Sequence, residues 1–262
     1  MKIPINIPDI DDEEIRAVRH VLSEKSLTSS SFDGGVHVQQ FEKLVSKFVK
    51  SKFTIAVNSG TSALQASLYA LDIKSGDEVL VPSFTFVATA NSVKAVGAKP
   101  VFVDILRENY TMDPDDLRKK VTKRTKAIIP VHLYGHVAYM EEIIEVAKKN
   151  NLKIIEDASQ SLGSKFKQKH SGTFSNLGCF SFYGTKVMTS GEGGAIVTDE
   201  KNLCEKLKQI RNHGQTKNNL VTRLGLNLRL SEINAAIAKI QMKKLPSFLK
   251  QRKNNAKILT EL

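Results

Sequence analysis

Apolar residues recur at helical spacing in two stretches before any strand-like run. Ile15, Val18, Val21 and Leu22 fall on one stripe of a helix that Asp11 can cap, with Glu14 three residues on completing a capping box. A second stripe, Val38, Phe41, Leu44, Val45, Phe48 and Val49, ends just before the β-rich run Phe53 to Val57. From there the pattern alternates. It predicts a helix from near Thr61, a strand over 78–81, a helix near 85–96, a strand over 100–105 and a helix after Asp113. A strand over 127–132, a helix over 140–149 and a strand over 153–156 follow. The strands VLVP, VFVDI, AIIPVHL and KIIED are nearly continuous apolar runs, as a parallel sheet covered by helices on both faces requires. Function is expected at their C-terminal ends.

Past residue 175 the texture changes. Two β-like runs, 179–183 and 195–198, are joined by the polar, Gly-rich GTKVMTSGEGG, which predicts a hairpin-like loop at the sheet's edge or mouth. Helices are expected over about 201–212, over 231–245 and, after Pro246, to the last residue. The chain stops at LTEL inside a helical pattern without a stop signal, so a further segment is expected beyond it.

Composition narrows the class. The 262 residues are 41% hydrophobic and 25% charged with only 15 Gly and 7 Pro, which excludes a miniprotein, wholesale disorder and a collagen-like chain. No apolar run reaches the roughly 18 residues of a membrane span. The start, MKIPINIPDIDDEE, turns acidic where a signal peptide would be apolar, so the expected location is the cytoplasm, with no membrane partner. Cys179 and Cys204 lack CxxC spacing, and His132 and His136 sit in a strand-like segment with Gly135 between them, so no metal site is expected. The net charge of +12 suits anionic metabolites. Nucleic acid is not expected, because the lysines are scattered over helical faces without interleaved aromatics.

Four strand-to-loop junctions carry candidate chemistry. NSGTSAL, from Asn58 to Leu64, ends a strand in a small turn and starts a helix, where free N–H groups and the Thr61 and Ser62 hydroxyls can cradle a phosphate; ordinary helix capping is the alternative. EDASQSLG places Asp157 at the mouth of an apolar strand, where it needs a cationic or N–H partner unless it merely caps the next turn. SFYGTKVMTSGEGG holds Lys186 in a loop at the sheet mouth, where a desolvated amine becomes a nucleophile able to form a Schiff base, although most loop lysines are simply solvated. PSFTFVATANS places Phe84 and Phe86 after a strand, where core packing is the default. A phosphate cradle, an aromatic plate, a carboxylate and a lysine in that order are the parts that pyridoxal 5'-phosphate (PLP) requires.

The chain resembles the PLP-dependent nucleotide-sugar aminotransferases of the DegT/DnrJ/EryC1/StrS family. The likeness runs through IPINIPDIDDEEI, AVNSGTSAL, DEVLVPSFTFVATANSV, GAKPVFVDI, KAIIPVHLYG, IIEDASQSLGS, the GEGG loop, RNHG and LGLNLRLSEINAAI. It implies an α/β, aspartate-aminotransferase-like (fold-type I) large domain with a mostly parallel sheet. By that resemblance Lys186 carries the cofactor and shuttles the proton, and Asp157 keeps the pyridine nitrogen protonated. Gln160 lies near the ring, Phe86 stacks on it, and Gly60, Thr61, Ser62 and Ser181 hold the phosphate. Asn227 reaches the phosphate of the neighbouring subunit in a homodimer. His132, Tyr134 and His213 lie in family blocks but receive no role.

The implied reaction moves an amino group from L-glutamate to a keto group of a nucleotide-linked deoxysugar. The resemblance further implies a PLP-binding domain over 1–245 and, over 246–262, the start of a helix toward a C-terminal small domain. Two alternatives remain at this stage. One is a PLP-dependent sugar dehydratase, against which Lys186 argues because that branch carries histidine there; the other is a catalytically incomplete PLP-binding or regulatory remnant. SLTSSSFDGGVHV departs from the family by being longer and richer in Ser and Gly.

Overall fold

A computed structural model describes residues 6–261. Its elements follow the predicted order: α1 (Asp12–Glu24), α2 (Val36–Val49), β1 (Phe53–Val57), α3 (Gly60–Ala70), β2 (Glu78–Pro82), α4 (Ala88–Ala95), β3 (Lys99–Val103), α5 (Pro114–Lys120), β4 (Thr125–Ile128), α6 (Met140–Lys149), β5 (Lys153–Asp157), β6 (Lys165–Phe166), β7 (Lys169–His170), β8 (Leu177–Ser181), β9 (Gly194–Thr198), α7 (Lys201–Arg211) and α8 (Glu232–Glu261). Asp11 and Glu14 form the expected capping box on α1. No helix among the described residues is long and apolar enough to cross a membrane.

Seven strands form one sheet in the order β1-β9-β8-β5-β4-β2-β3, while β6 and β7 make a separate short hairpin. Within the large sheet only β9 is antiparallel to its neighbours, β1 and β8. Alternation along the strands sends side chains to two faces. Ile55, Val57, Val79, Val81, Leu177, Cys179 and Ile196 pack with Leu64 and Leu68 of α3 and Leu203 and Leu207 of α7. On the opposite face, Ala56, Phe180, Ala195 and Val197 pack with Phe41 and Val45 of α2 and Ala235 and Met242 of α8, and Leu80 and Ile128 meet Leu117 of α5 and Ile143 of α6. The sheet is therefore dry on both sides, as its apolar strands predict, except along the edge strand β3, where Phe102 is exposed.

Two boundaries differ from the sequence reading, and one alternative is narrowed. The strand expected over 127–132 ends at Ile128, because Pro130 has no N–H to give the ladder; pairing resumes only at an isolated bridge between Val131 and Asp157. Of the two places expected for the β8–β9 loop, the edge is excluded because β1 pairs with the far side of β9, and the loop lies at the mouth. The helix break expected at Pro246 does not occur, and α8 runs through it. Pro246 removes one ladder hydrogen bond, but burial of Leu245 and partial packing of Phe248 and Leu249 on the same core hold the helix across the gap.

The Ser- and Gly-rich loop between α1 and α2 is tied down from below. Arg211, at the end of α7, is 2% exposed. It donates through Nη1 to Glu42 Oε1 (2.6 Å) and the Ala56 carbonyl (3.2 Å), and through Nη2 to the Phe32 carbonyl (3.1 Å). Asn212 Nδ2 donates to the Ser30 carbonyl and the Glu232 N–H to that of Leu27. Burial pushes the Glu42 carboxyl pKa up, and the guanidinium works against that rise.

Candidate active site

β1, β2, β5 and β8 run in the same sense, so Ser59, Phe86, Asp157 and Ser181 all lie at or just beyond one end of the sheet. Ser59 caps α3, accepting the Ser62 N–H at 3.0 Å and donating to Ser62 Oγ at 2.9 Å. The helix starts directly from the strand, with its positive end toward the mouth. Gly60 is required by close approach: a Cβ there would stand 2.8 Å from Ser181 Cβ and 3.3 Å from Ser159 Oγ. Three segments distant in sequence, 59–62, 159 and 181, thus converge on one small concavity of hydroxyls and helix N–H groups. This is the local arrangement that binds phosphate. The Asn58 side-chain oxygen behind it is buried without a partner among the described residues.

Asp157 closes β5 and is 6% exposed. Its Oδ2 accepts from Thr89 Oγ1 (2.9 Å) and its Oδ1 from the Ser159 N–H (3.2 Å). Because Thr89 spends its one proton on Asp157, Thr85, 3.0 Å away, must donate to Thr89. The carboxylate is therefore steered by two hydroxyls in series and one amide, with acceptor capacity left over.

Lys186 lies in the loop between β8 and β9, whose ends are fixed by Phe182 N–H to the Gly193 carbonyl and Ser190 N–H to the Phe182 carbonyl. Asn234 of α8 donates to the Ser190 carbonyl at 2.6 Å, and Phe182 and Met188 anchor the loop in the core. Half-burial lowers the Lys186 amine pKa from the usual lysine value, and the nearby Asp157 charge partly opposes that fall. The two charges are near enough to interact, but among the described residues the groups that bond the Asp157 carboxylate are Thr89 and Ser159.

Gln160 turns away from Asp157 to accept the Tyr134 N–H at 3.0 Å. It lines an open depression of about 1300 Å³ with Tyr134, Val187, Leu249 and Arg252. Neither Asp157 nor Lys186 forms its wall, so the reactive groups sit beside the large depression rather than in it. Phe86 is 70% exposed, free of the core packing that is the default for an aromatic, and its carbonyl accepts the Thr89 N–H. Asn227 is exposed and outside the cradle, pairing in a bridge with Asn212, although the adjoining Leu228 carbonyl accepts the Asn58 N–H.

Sequence reasoning missed the support beneath the site. Glu156, next to Asp157 but pointing to the other face, is fully buried with His132. The Ala138 N–H donates to His132 Nδ1 (3.1 Å), so the ring proton sits on Nε2 and is given to Glu156 Oε2 at 2.9 Å. Gly172 N–H and Ser175 Oγ supply the other donors to Glu156. The His132 N–H also bonds the Asp157 carbonyl (3.0 Å), locking the strand end that presents the carboxylate. Adjacent carboxylates closing one strand were the available signal for two roles on two faces. Thr89 gave no signal beyond its place one turn after Phe86.

A phosphate cradle, a buried acceptor and a desolvated amine at one mouth fit a phosphorylated pyridine aldehyde: Gly60, Thr61, Ser62 and Ser181 for the phosphate, Asp157 for the ring nitrogen, Lys186 for the aldehyde. Known proteins resemble the chain along nearly its whole length. The chain is 37% identical over 258 residues to the GDP-perosamine synthase of Escherichia coli O157:H7, an alignment covering 98% of this chain and 70% of that one. Its fold matches an aminotransferase from Psychrobacter cryohalolentis with a TM-score of 0.92 at 34% identity, covering 97% of this chain and 67% of the other. It matches the PLP form of Spr1654 from Streptococcus pneumoniae with a TM-score of 0.90 at 29% identity, covering 97% and 69%. Residues 8–262 match the family model of the DegT/DnrJ/EryC1/StrS aminotransferases, and the chain, with its fold-type I sheet and PLP as cofactor, belongs to that family.

Proposed function

We propose that this chain transfers an amino group from L-glutamate to a keto group of a nucleotide-linked deoxysugar. The observation that carries the reading is that the half-buried Lys186 amine, the buried Asp157 carboxylate whose charge acts on it, and the Gly60–Ser181 cradle gather at one mouth of the sheet. The GDP-perosamine synthase it resembles is named for a nucleotide-linked amino sugar. The net charge of +12 favours approach of a diphosphate. PLP, when bound, supplies the electron sink that stabilises negative charge at the amino-bearing carbon.

The chain's own groups do the rest. The α3 N-terminus with Thr61, Ser62 and Ser181 holds the phosphate and fixes the ring's position. Asp157, steered by Thr89 and Ser159, holds a proton on the ring nitrogen. On this reading the exposed Phe86 would cover one side of the ring, and Gln160, which now accepts the Tyr134 N–H beside the neighbouring depression, would turn back to border it. Lys186, with its lowered amine pKa, anchors the cofactor and then, once released, moves a proton at the reacting carbon.

The reading is tested as two half-reactions on PLP-loaded protein. L-glutamate is expected to bleach the visible band of the bound cofactor and release 2-oxoglutarate, and a nucleotide-linked keto-deoxysugar should restore the band. A band fixed on Lys186 by borohydride yet unchanged by L-glutamate would reject the donor; restoration by simple keto acids but by no nucleotide sugar would reject the acceptor.

The reading includes a homodimer in which Asn227 completes the partner's cradle. Its exposure beside the exposed Leu220, Val221 and Leu224 supports a contact made outside its own chain. Mixing Asn227→Ala with Lys186→Ala subunits should regenerate one intact site per heterodimer and recover activity that neither variant has alone. No recovery after verified subunit exchange would count against a shared site.

A further inference from the structure

We propose that His20, Glu24 and His37 form a site for one divalent cation of the zinc class where α1 meets α2, apart from the cofactor site. Glu24 Oε2 lies 3.4 Å from His20 Nδ1 and 3.6 Å from His37 Nε2, and one donor atom from each of the three residues lies within 4.8 Å of the other two. Among the described residues this is the one such set of three. The two separations are longer than an ordinary N–H···O hydrogen bond, so the groups converge without bonding one another. They come close to the spacing, roughly 3.3 Å, of ligands around a tetrahedral ion with bonds of about 2.0–2.1 Å. Two imidazoles and one carboxylate suit zinc; magnesium and calcium take oxygen-rich sets.

The local structure explains the convergence. His20 and Glu24 are four apart on α1 and share a face. Glu24 stands in the last helical turn, where the helix dipole disfavours a carboxylate, and that turn carries no basic residue. A bound cation would offset both charges. His37 is fixed at the start of α2 by its N–H to Glu232 Oε2 (2.7 Å), with only 14% of its side chain exposed. His20 is 65% exposed, and the adjoining depression, lined also by Glu13, Arg16, Ala17 and Lys239, leaves room for a water as fourth ligand.

Lys239 opposes the ion. Its ammonium donates to His37 Nδ1 at 2.9 Å, which leaves the ring proton on Nε2, the ligand atom. Metal binding shifts that proton to Nδ1, so the ammonium must swing fully to Gln40 Oε1, which it already contacts. The chain therefore carries a built-in competitor for the ion.

Calorimetric titration of PLP-saturated protein with Zn²⁺ tests the site, with circular dichroism confirming that each variant is folded. One Zn²⁺ per chain is expected, without change in the visible band of the bound cofactor. His20→Ala and Glu24→Gln, both on an exposed helix face, should each weaken binding by at least the roughly tenfold that loss of even an outer-sphere partner costs. Lys239→Met should tighten it several-fold. Uptake unchanged in both His20→Ala and Glu24→Gln, no saturable uptake by the unaltered chain, or equal competition by Mg²⁺ would each overturn the assignment.

Discussion

Lys186→Ala protein is expected to bind PLP without fixing it under borohydride, and to transfer amino groups no faster than background. On the proposed reading, binding and covalent chemistry use different groups. The proposed phosphate cradle is built from 59–62 and Ser181, and none of the contacts within it passes through the lysine. The loop should keep its shape, because it is held by Phe182, Met188 and Asn234 rather than by the amine. In the unaltered protein, burial lowers the amine pKa, so the neutral, nucleophilic form accumulates at lower pH than for a solvated lysine. Covalent attachment should therefore rise with pH along a curve whose midpoint lies below the ordinary lysine value. Peptide mapping after reduction checks the position; label on another lysine would refute the assignment, and a midpoint at the ordinary value would refute the desolvation.

Asp157→Asn should lower turnover by orders of magnitude while leaving the fold intact, equivalent to several kcal/mol of barrier at about 1.4 kcal/mol per decade. An amide oxygen can still accept from Thr89, but the Ser159 N–H then faces an amide that also donates, a loss on the order of 1 kcal/mol of stability. The large effect is electrostatic. A neutral amide no longer favours a proton on the ring nitrogen, so the cofactor's capacity to accept charge falls. The same substitution removes the charge that holds the Lys186 pKa up, so the pH midpoint of borohydride fixation should move further down. Denaturant midpoints, turnover and the fixation profile separate these effects; near-normal turnover would show that another group protonates the ring.

Element order was legible because the inner strands are buried on both faces and read as apolar runs. Their neighbours in space were not. That β9 enters between β1 and β8 depends on pairings such as Phe53 with Thr198, which no local pattern announces. Pro246 misled for a related reason: local chemistry favours a break, and packing of Leu245 and Leu249 overrides it. At the site, the residues singled out for the phosphate and the lysine stand at strand ends, where composition changes sharply. The groups that orient them, Thr89 and His132, come from other elements and act through tertiary hydrogen bonds. The His20, Glu24 and His37 set was invisible because its third member, His37, depends on where the loop over 25–35 delivers α2.

The pairing of β1 with β9 also sets an order of events in folding. β1 finds its hydrogen-bonded neighbour far down the chain, Phe53 opposite Thr198, so closing that contact carries a large loop-entropy cost and is expected to be slow. α3, whose first turn is half of the phosphate cradle, leaves directly from β1, and the other half leaves from β8, which pairs with the opposite side of β9. The cradle is thus among the last features to exist. Excess PLP should stabilise the native state in proportion to RT ln(1 + [L]/Kd) yet do little to speed its formation, slowing unfolding instead.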